Sequence, residues 1–177
     1  RLLNILNIND NLASELIDWI DPDQYPTFPG GAEDDEYTKL IPPYRTSNQP
    51  MLSISELLSL KSITKSEYRI LKEFITALPA PTKINVNTAD PIIIESLDSG
   101  VTKNDAQRLT KERIPLGFND TSNSFKSLLL PENLSKISST TNYFQLKLMI
   151  RIDTVNITMF SVIKRNMNGD TIVIKRS

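Results

Sequence analysis

The residues best placed to do chemistry are carboxylates in one segment, residues 19–37, which reads WIDPDQYPTFPGGAEDDEY. The segment holds six of them: Asp21, Asp23, Glu33, Asp34, Asp35 and Glu36. Carboxylates at close range repel one another and resist ionisation unless a cation, an arginine or ample water compensates their charge. The segment therefore fits three uses: a metal site, the acid/base site of an enzyme, or a solvated connection.

An enzymatic role has little support from the residue types. The chain has no histidine and no cysteine, which excludes a Ser-His-Asp triad, an imidazole base and a thiolate nucleophile. A glycosidase could still use two carboxylates that face a sugar-binding cleft. The nearby aromatic candidates for such a cleft include Trp19, but this residue lies on the apolar face of a predicted helix and is expected in the core. We therefore predict that the protein is not an enzyme and assign no catalytic residue.

Metal binding fits the segment better. Without histidine or cysteine, side-chain ligands must be oxygens, which favours calcium or magnesium over zinc or copper. The spacing is not that of an EF-hand. With Asp21 at the first loop position, the position that requires glycine holds Pro26 and the last ligand position holds Ala32.

An irregular calcium site stays open, as does a plain solvated turn. Asp21 and Asp23 would come from the end of a helix, and a turn at Gly30 and Gly31 would bring the next acidic residues back to them. Those residues are Glu33, Asp34 and Asp35. Hard oxygen ligands on a flexible loop suit the six to eight coordination positions of calcium.

A helix and a long loop must position these carboxylates. Residues 9–20 place Leu12, Leu16 and Trp19 at helical spacing behind asparagine and aspartate capping candidates. Pro22 ends the helix because its ring disfavours helical geometry at the residue before it. The proline-rich residues 21–50 then predict a loop, and loops of this length tend to be functional, ligand-organised or disordered.

Two similar helical units are predicted after the loop. In the first, capping boxes begin at Ser53 and Thr64, and the second helix is predicted to reach Leu78 before Pro79. Residues 62–67 align with residues 100–105 of the second unit at an offset of 38. Such pairs resemble the helix-hairpin-helix units of DNA-binding proteins, but both turns lack the second glycine and no basic stripe surrounds them. A packing scaffold is favoured, and a nucleic-acid-binding module is the alternative function.

The last part of the chain changes character after a polar connection over residues 117–141. From Phe144 to Ile150 apolar residues alternate with polar ones, as expected of a strand with one buried face, and residues 155–163 and 171–174 follow the same pattern. Residues 167–170, MNGD, predict a hairpin turn. The predicted fold class is therefore α+β, with helices first and a small antiparallel sheet at the end.

The predicted organisation has three parts. They are a first helical subdomain over residues 1–81 with the acidic loop 21–50, a second helical subdomain and connection over 82–141, and C-terminal strands over 142–177. Residues 1–81 hold 7 basic and 12 acidic residues, giving −5, whereas residues 82–177 hold 13 and 9, giving +4. The basic residues are scattered, so a polyanion is not the expected partner. With no apolar run of 18 residues, the chain is expected to be soluble, and its start at arginine leaves room for an upstream region.

Several motifs resemble one known family. DWIDPDQYP, GGAEDDEY, PPYRTSNQP, SISELLSLKSIT, TALP and INVNTADP occur in the order seen in the K-type minor pseudopilins of bacterial type II secretion systems. The resemblance is strong over about residues 2–98. YFQLKLMIRI and FSVIKR are similar to the last strands of that family, which extends the resemblance to nearly the whole chain.

The resemblance implies a pilin-like antiparallel sheet that carries a large inserted helical domain, made of the two helix-hairpin-helix-like units. It implies a noncatalytic protein at the tip of the pseudopilus, in complex with I-type and J-type minor pseudopilins. The secretion substrate or the outer-membrane channel is a further suggested partner. The location implied is the periplasmic side of the inner membrane, with membrane attachment only through an N-terminal helix upstream of this chain.

Calcium binding is known in the family, and the acidic motifs are where the resemblance places it. Asp21, Asp23, Glu33 and Asp34 match the acidic positions best, and Asp35 and Asn48 are further candidates. The metal site predicted from the sequence therefore comprises these six residues, with calcium as the ion.

Overall fold

The computed structural model describes residues 1–176, apart from the side chain of Ser122. The α-helices in this part of the chain are α1 (Leu2–Ile5), α2 (Asn11–Ile20), α3 (Asp34–Tyr37), α4 (Lys65–Leu71), α5 (Pro91–Ser96), α6 (Lys103–Glu112), α7 (Thr121–Phe125) and α8 (Pro131–Leu134), with a 3₁₀ helix at Ile54–Ser59. The strands are β1 (Ile84–Asn85), β2 (Ile137–Ser138), β3 (Tyr143–Ile152), β4 (Val155–Arg165) and β5 (Thr171–Arg176). The predicted mixed fold of helices followed by an antiparallel sheet is confirmed. Within the described residues, no helix has the length and apolar character needed to cross a bilayer.

The first hydrophobic core lies between α2, the acidic loop and the first helical unit. Its buried residues are Ile8, Leu12, Trp19, Ala32, Tyr37, Leu57, Leu60 and Leu71. The Trp19 ring meets the edges of two loop aromatics, with centroids 5.3 Å from Tyr37 and 6.3 Å from Tyr44. Because these rings bury large apolar areas, they fix the loop to α2. The loop also contains the one-turn helix α3, which the sequence did not predict.

The second helices of the two units, α4 and α6, begin with the same capping pattern, as the repeat predicted. Thr64 Oγ1 accepts from the N–H of Glu67 at 3.2 Å, and Glu67 Oε2 accepts from the N–H of Thr64 at 2.8 Å. Thr102 and Asp105 make the same reciprocal pair at 3.1 and 3.2 Å. The leucine seven residues after each threonine is buried. The offset of 38 therefore reflects two units with the same capping and the same buried position.

Helix α4 ends earlier than predicted. It stops at Leu71 rather than Leu78, and the N–H groups of Glu73 and Phe74 donate to carbonyls three residues back. This tighter bonding closes the helix, and aromatic and β-branched residues follow, which have modest helix propensity. The chain beyond Lys72 instead lines a cleft that faces the C-terminal sheet.

A second core is formed by residues 86–137, which follow the first helical unit and precede the C-terminal sheet. Its buried residues are Val86, Ile94, Val101, Ala106, Leu109, Phe125, Leu129 and Ile137. Beside this core, β1 and β2 form a short parallel pair with Ile84 opposite Ile137. Part of the polar connection over residues 117–141 is therefore ordered as α7, α8 and β2, which are too short to show a periodic pattern in the sequence.

The C-terminal sheet has the strand order β3-β4-β5, all antiparallel. The register runs from Tyr143 opposite Lys164 to Ile152 opposite Val155. One face carries the apolar set Phe144, Leu146, Leu148, Ile150, Ile152, Val155, Ile157, Met159 and Ile163. The predicted alternation is confirmed, but the expected burial is wrong for the described part of the chain, since the β3 members of this set are 39–62% exposed.

Candidate metal centre

Three carboxylates converge where α2 meets the acidic loop. They belong to Asp18 near the end of α2, Asp21 at its C-cap and Glu33 at the N-cap of α3, and one oxygen from each lies within 4.8 Å of the other two. The spacing of three residues places the two aspartates on one side of the helix end. Asp21 has extended geometry with ψ 160°, as expected for a residue before proline.

A tight turn brings the third carboxylate to the helix. The N–H of Gly31 donates to the carbonyl of Thr27 at 2.8 Å, and the N–H of Thr27 donates to both oxygens of Asp18 at 3.0 and 3.1 Å. Gly30 has φ +82°, a conformation that L side chains rarely adopt. A Cβ on Gly31 would overlap the Asp18 carboxylate and the Thr27 backbone. The Gly-Gly pair is therefore required for the chain to pass this close to α2 and deliver Glu33.

Of the three carboxylates, those of Asp18 and Glu33 are buried and that of Asp21 is partly buried, and they have little compensation. Asp18 is 0% exposed and Glu33 is 1% exposed, and neither oxygen of Glu33 has a hydrogen-bond partner. Asp21 Oδ1 is also buried and unpartnered. Burial, followed by the charges of Asp18 and Asp21, raises the pKa of Glu33 from 4.5 to about 7. Leaving such a carboxylate ionised and unpaired is costly, so the arrangement favours a cation.

The donor set fits a hard cation. Within residues 1–176, no lysine or arginine forms an ion pair with Asp18, Asp21 or Glu33. Carboxylate oxygens are the ligands that calcium prefers, and its remaining positions can be filled by backbone oxygens and water. The cation would then bind the two oxygens of Glu33, which have no hydrogen-bond partner.

Of the six predicted ligands, the structure brings together Asp21 and Glu33. Asp23 Oδ1 accepts from the N–H of Tyr25 at 2.9 Å at an exposed position, and Asp35 is 67% exposed and 4.0 Å from Lys39 Nζ. These two residues remain predictions as ligands.

The other two predicted ligands bond within the loop. Asp34 bonds to Arg45 and Thr46, and the side-chain oxygen of Asn48 lies 3.0 Å from the hydroxyl of Thr46. The third member of the converging group is Asp18, which the sequence prediction left out. The signal that could have found it is its position three residues before Asp21 on the predicted helix.

In the turn of the second helical unit, the backbone N–H of Gly100 is hydrogen-bonded within the protein. The N–H of Gly100 donates to Asp98 Oδ1 at 3.0 Å, and Asp98 Oδ2 accepts from the N–H of Leu130 and from Asn133 Nδ2. These hydrogen bonds hold the pKa of Asp98 well below its usual range. A buried carboxylate therefore occupies the N–H that would have to meet a phosphate, which argues against the helix-hairpin-helix mode of DNA binding.

Comparison with known proteins identifies the family. Two family models described as type II secretion system (T2SS), protein K, match residues 1–80 and 84–147. The type II secretion system protein K of Pectobacterium carotovorum subsp. carotovorum is 33% identical over 153 residues, covering 81% of this chain and 46% of that protein. The protein of the same name from Pseudomonas aeruginosa is 30% identical, covering 99% and 54%. The chain thus spans about half the length of the curated relatives it matches.

A solved structure gives the same result at the level of the fold. A chain in the crystal structure of the GspK-GspI-GspJ complex from the enterotoxigenic Escherichia coli type 2 secretion system matches with a TM-score of 0.85 and 26% identity. The match covers 99% of this chain and 66% of that chain. This chain belongs to the type II secretion system protein K family.

Proposed function

We propose that this chain is part of a noncatalytic minor pseudopilin that assembles with I-type and J-type minor pseudopilins to support protein export. The observation that carries the proposal is the TM-score of 0.85 over 99% of the chain with a component of a GspK-GspI-GspJ complex. The test is a pull-down of the full ectodomain with the ectodomains of I-type and J-type partners. Retention of both partners at micromolar concentration is expected, and loss of both would overturn the proposal.

We further propose that the helical part is an insertion in a pilin-like domain and stands at the tip of the pseudopilus. Residues 1–141 contain two hydrophobic cores and far exceed a simple strand connection, whereas the sheet begins only at Tyr143. A body of this size at the tip would limit further addition of subunits and would face the secretion substrate or the outer-membrane channel. The protein would sit on the periplasmic side of the inner membrane, attached by an upstream helix.

We also propose that the converging carboxylates bind calcium. Asp18, Asp21 and Glu33 would hold the ion, which supplies the positive charge that these buried oxygens lack. The ion would cross-link the acidic loop to the end of α2 and would have no part in catalysis. Calcium at a hundred times its dissociation constant would add about 2.7 kcal/mol to the free energy of unfolding.

The calcium proposal is tested by heating and by proteolysis. The melting temperature and the protease resistance of residues 21–50 should both fall when a chelator is added. If neither changes, the proposal is wrong.

A further inference from the structure

We propose that Asp34 positions the metal site and is not one of its ligands. Together with Arg45, Thr46 and Asn48 it forms a brace that holds Glu33 against the end of α2. This inference rests on the calcium binding proposed above and concerns how that site is built.

The oxygens of Asp34 are already engaged. Asp34 Oδ1 accepts from the N–H of Thr46 at 2.9 Å and from the hydroxyl of Thr46 at 3.0 Å. Asp34 Oδ2 accepts from Arg45 Nη1 at 3.0 Å. A carboxylate offers about four lone-pair positions, so three are filled and the fourth lies beside a guanidinium. A cation at that fourth position would meet the positive charge of Arg45, which disfavours coordination there.

Residues 46–48 form hydrogen bonds both to the segment that carries Glu33 and to the segment that carries the two aspartates. Asp34 follows Glu33 directly and is held by Thr46, which is 8% exposed. Two residues later, the N–H of Asn48 donates to the carbonyl of Trp19 at 3.0 Å. Trp19 lies between the two aspartates of the site, so residues 46–48 join the segment that carries Glu33 to the segment that carries the aspartates.

Asn48, the last residue of the brace, has a backbone conformation that is uncommon for residues other than glycine. Asn48 has φ +49°, in the left-handed region that asparagine tolerates better than most residues. This conformation lets the N–H of Asn48 reach α2 while its side-chain oxygen stays 3.0 Å from the hydroxyl of Thr46. The proposal thus replaces the predicted ligand role of Asp34 with a structural one and adds a structural role to the prediction for Asn48.

A brace of this kind matters because the three converging carboxylates repel one another before the ion binds. Without it, Glu33 could move away from the aspartates, and calcium binding would have to reverse that movement. Residues that orient ligands without touching the metal typically contribute about 10–100-fold to its affinity. Removing the brace should therefore weaken binding without removing a ligand.

Terbium luminescence separates these two roles. Tb³⁺ is a hard ion that replaces calcium at oxygen sites. Trp19 is adjacent in sequence to the site and can sensitise the emission of the bound ion. The decay rates of this emission in H₂O and D₂O give the number of waters bound to the ion. The variants are Asp34→Asn and Thr46→Val, with Asp21→Asn as the reference for a lost ligand. Glu36→Gln is the control, since it removes the same charge two residues further on, where the carboxylate pairs with Lys39 and Lys61. Competition with calcium gives the affinity for each variant.

The brace predicts that D34N and T46V weaken binding by about 10–100-fold while the number of bound waters stays as in the wild type. In D34N, the amide nitrogen would face either Arg45 or the donors of Thr46, so the brace is broken in both orientations. D21N should admit about one additional water, E36Q should match the wild type, and T46S should restore affinity because it keeps the hydroxyl.

Three results would overturn the inference. One additional water in D34N would make Asp34 a ligand, and wild-type affinity in both D34N and T46V would mean that the brace has no role. A wild-type protein that shows no Tb³⁺ signal displaced by calcium would overturn the calcium proposal itself, and the brace with it. T46V keeps the backbone bond to Asp34 and leaves every proposed ligand in place, so it gives a result even if D34N fails to fold.

Discussion

Replacing Glu33 with glutamine should stabilise the metal-free protein and greatly reduce its stabilisation by calcium. Glu33 is 1% exposed, both its oxygens lack a partner, and two other carboxylates lie beside it. Glutamine has nearly the same shape, carries no charge, and its amide nitrogen can donate to Asp18 or Asp21. The substitution therefore relieves repulsion when calcium is absent and removes a ligand when calcium is present.

The size of the effect follows from the pKa of Glu33, which rises from 4.5 to about 7 in the folded protein. Between these values the folded state binds the proton and the unfolded state does not, so the free energy of unfolding falls as pH rises from 4.5 to about 7. The two values differ by about 2.5, and at about 1.36 kcal/mol for each pH unit the loss is about 3 kcal/mol. Glutamine avoids this loss because it does not titrate.

The assay is urea unfolding of the wild type and E33Q at pH 5 and pH 8, each with a chelator and with excess calcium. In chelator, the wild type should lose up to about 3 kcal/mol more than E33Q between the two pH values. Calcium at a hundred times its dissociation constant should add about 2.7 kcal/mol to the wild type at pH 8 and much less to E33Q. E36Q is a control outside the site, since Glu36 pairs with Lys39 and Lys61.

Either of two results would contradict this role of Glu33. One is an E33Q protein that is less stable than the wild type in chelator at pH 8. The other is an E33Q protein that calcium stabilises as much as the wild type.

Three further predictions concern other parts of the molecule. Gly31→Ala should lower the free energy of unfolding by about 1–3 kcal/mol and weaken calcium binding, because the added methyl overlaps Asp18; urea unfolding and calorimetry measure both. Asp98→Asn should lower the melting temperature at pH 7, and the difference from the wild type should shrink as pH falls below 3.8, because the folded state holds the pKa of Asp98 below that value. A gel-shift assay at low salt should show no binding of duplex or single-stranded DNA, and a shift lost on neutralising Lys103 would contradict this.

Elements with their own local signal could be predicted from the sequence. The capping boxes at Ser53 and Thr64 form as expected, because the hydrogen bonds of each box lie within four residues. The alternation over residues 144–150 predicted most of β3 and its apolar face, since side chains in a strand alternate whatever lies around them. The repeat predicted two similarly built units, which the paired caps and buried leucines confirm.

Elements that depend on distant contacts could not be predicted. Helix α3 is a single turn whose Tyr37 packs against Trp19, and α4 stops early where its continuation meets a cleft at the sheet. Single-turn helices have too few residues to show a period of 3.6, so composition alone indicates a loop.

The sequence predicted where the candidate site lies better than it predicted which residues form the site. The acidic segment and the Gly-Gly turn were visible, and Asp21 and Glu33 meet as expected. Which other carboxylates join them depends on the path of the turn, which places Asp18 inside and directs Asp34 toward Thr46. Adjacent acidic residues in a sequence can point in different directions, and only the folded backbone decides between them.

Assembly is tested most directly by the mass of the complex. The full ectodomain would be mixed at micromolar concentration with the ectodomains of I-type and J-type minor pseudopilins from the same organism, and light scattering after gel filtration would give the mass. A single species with the mass of one copy of each is the predicted result. Three separate species, each with the mass of one component, would contradict the proposed function.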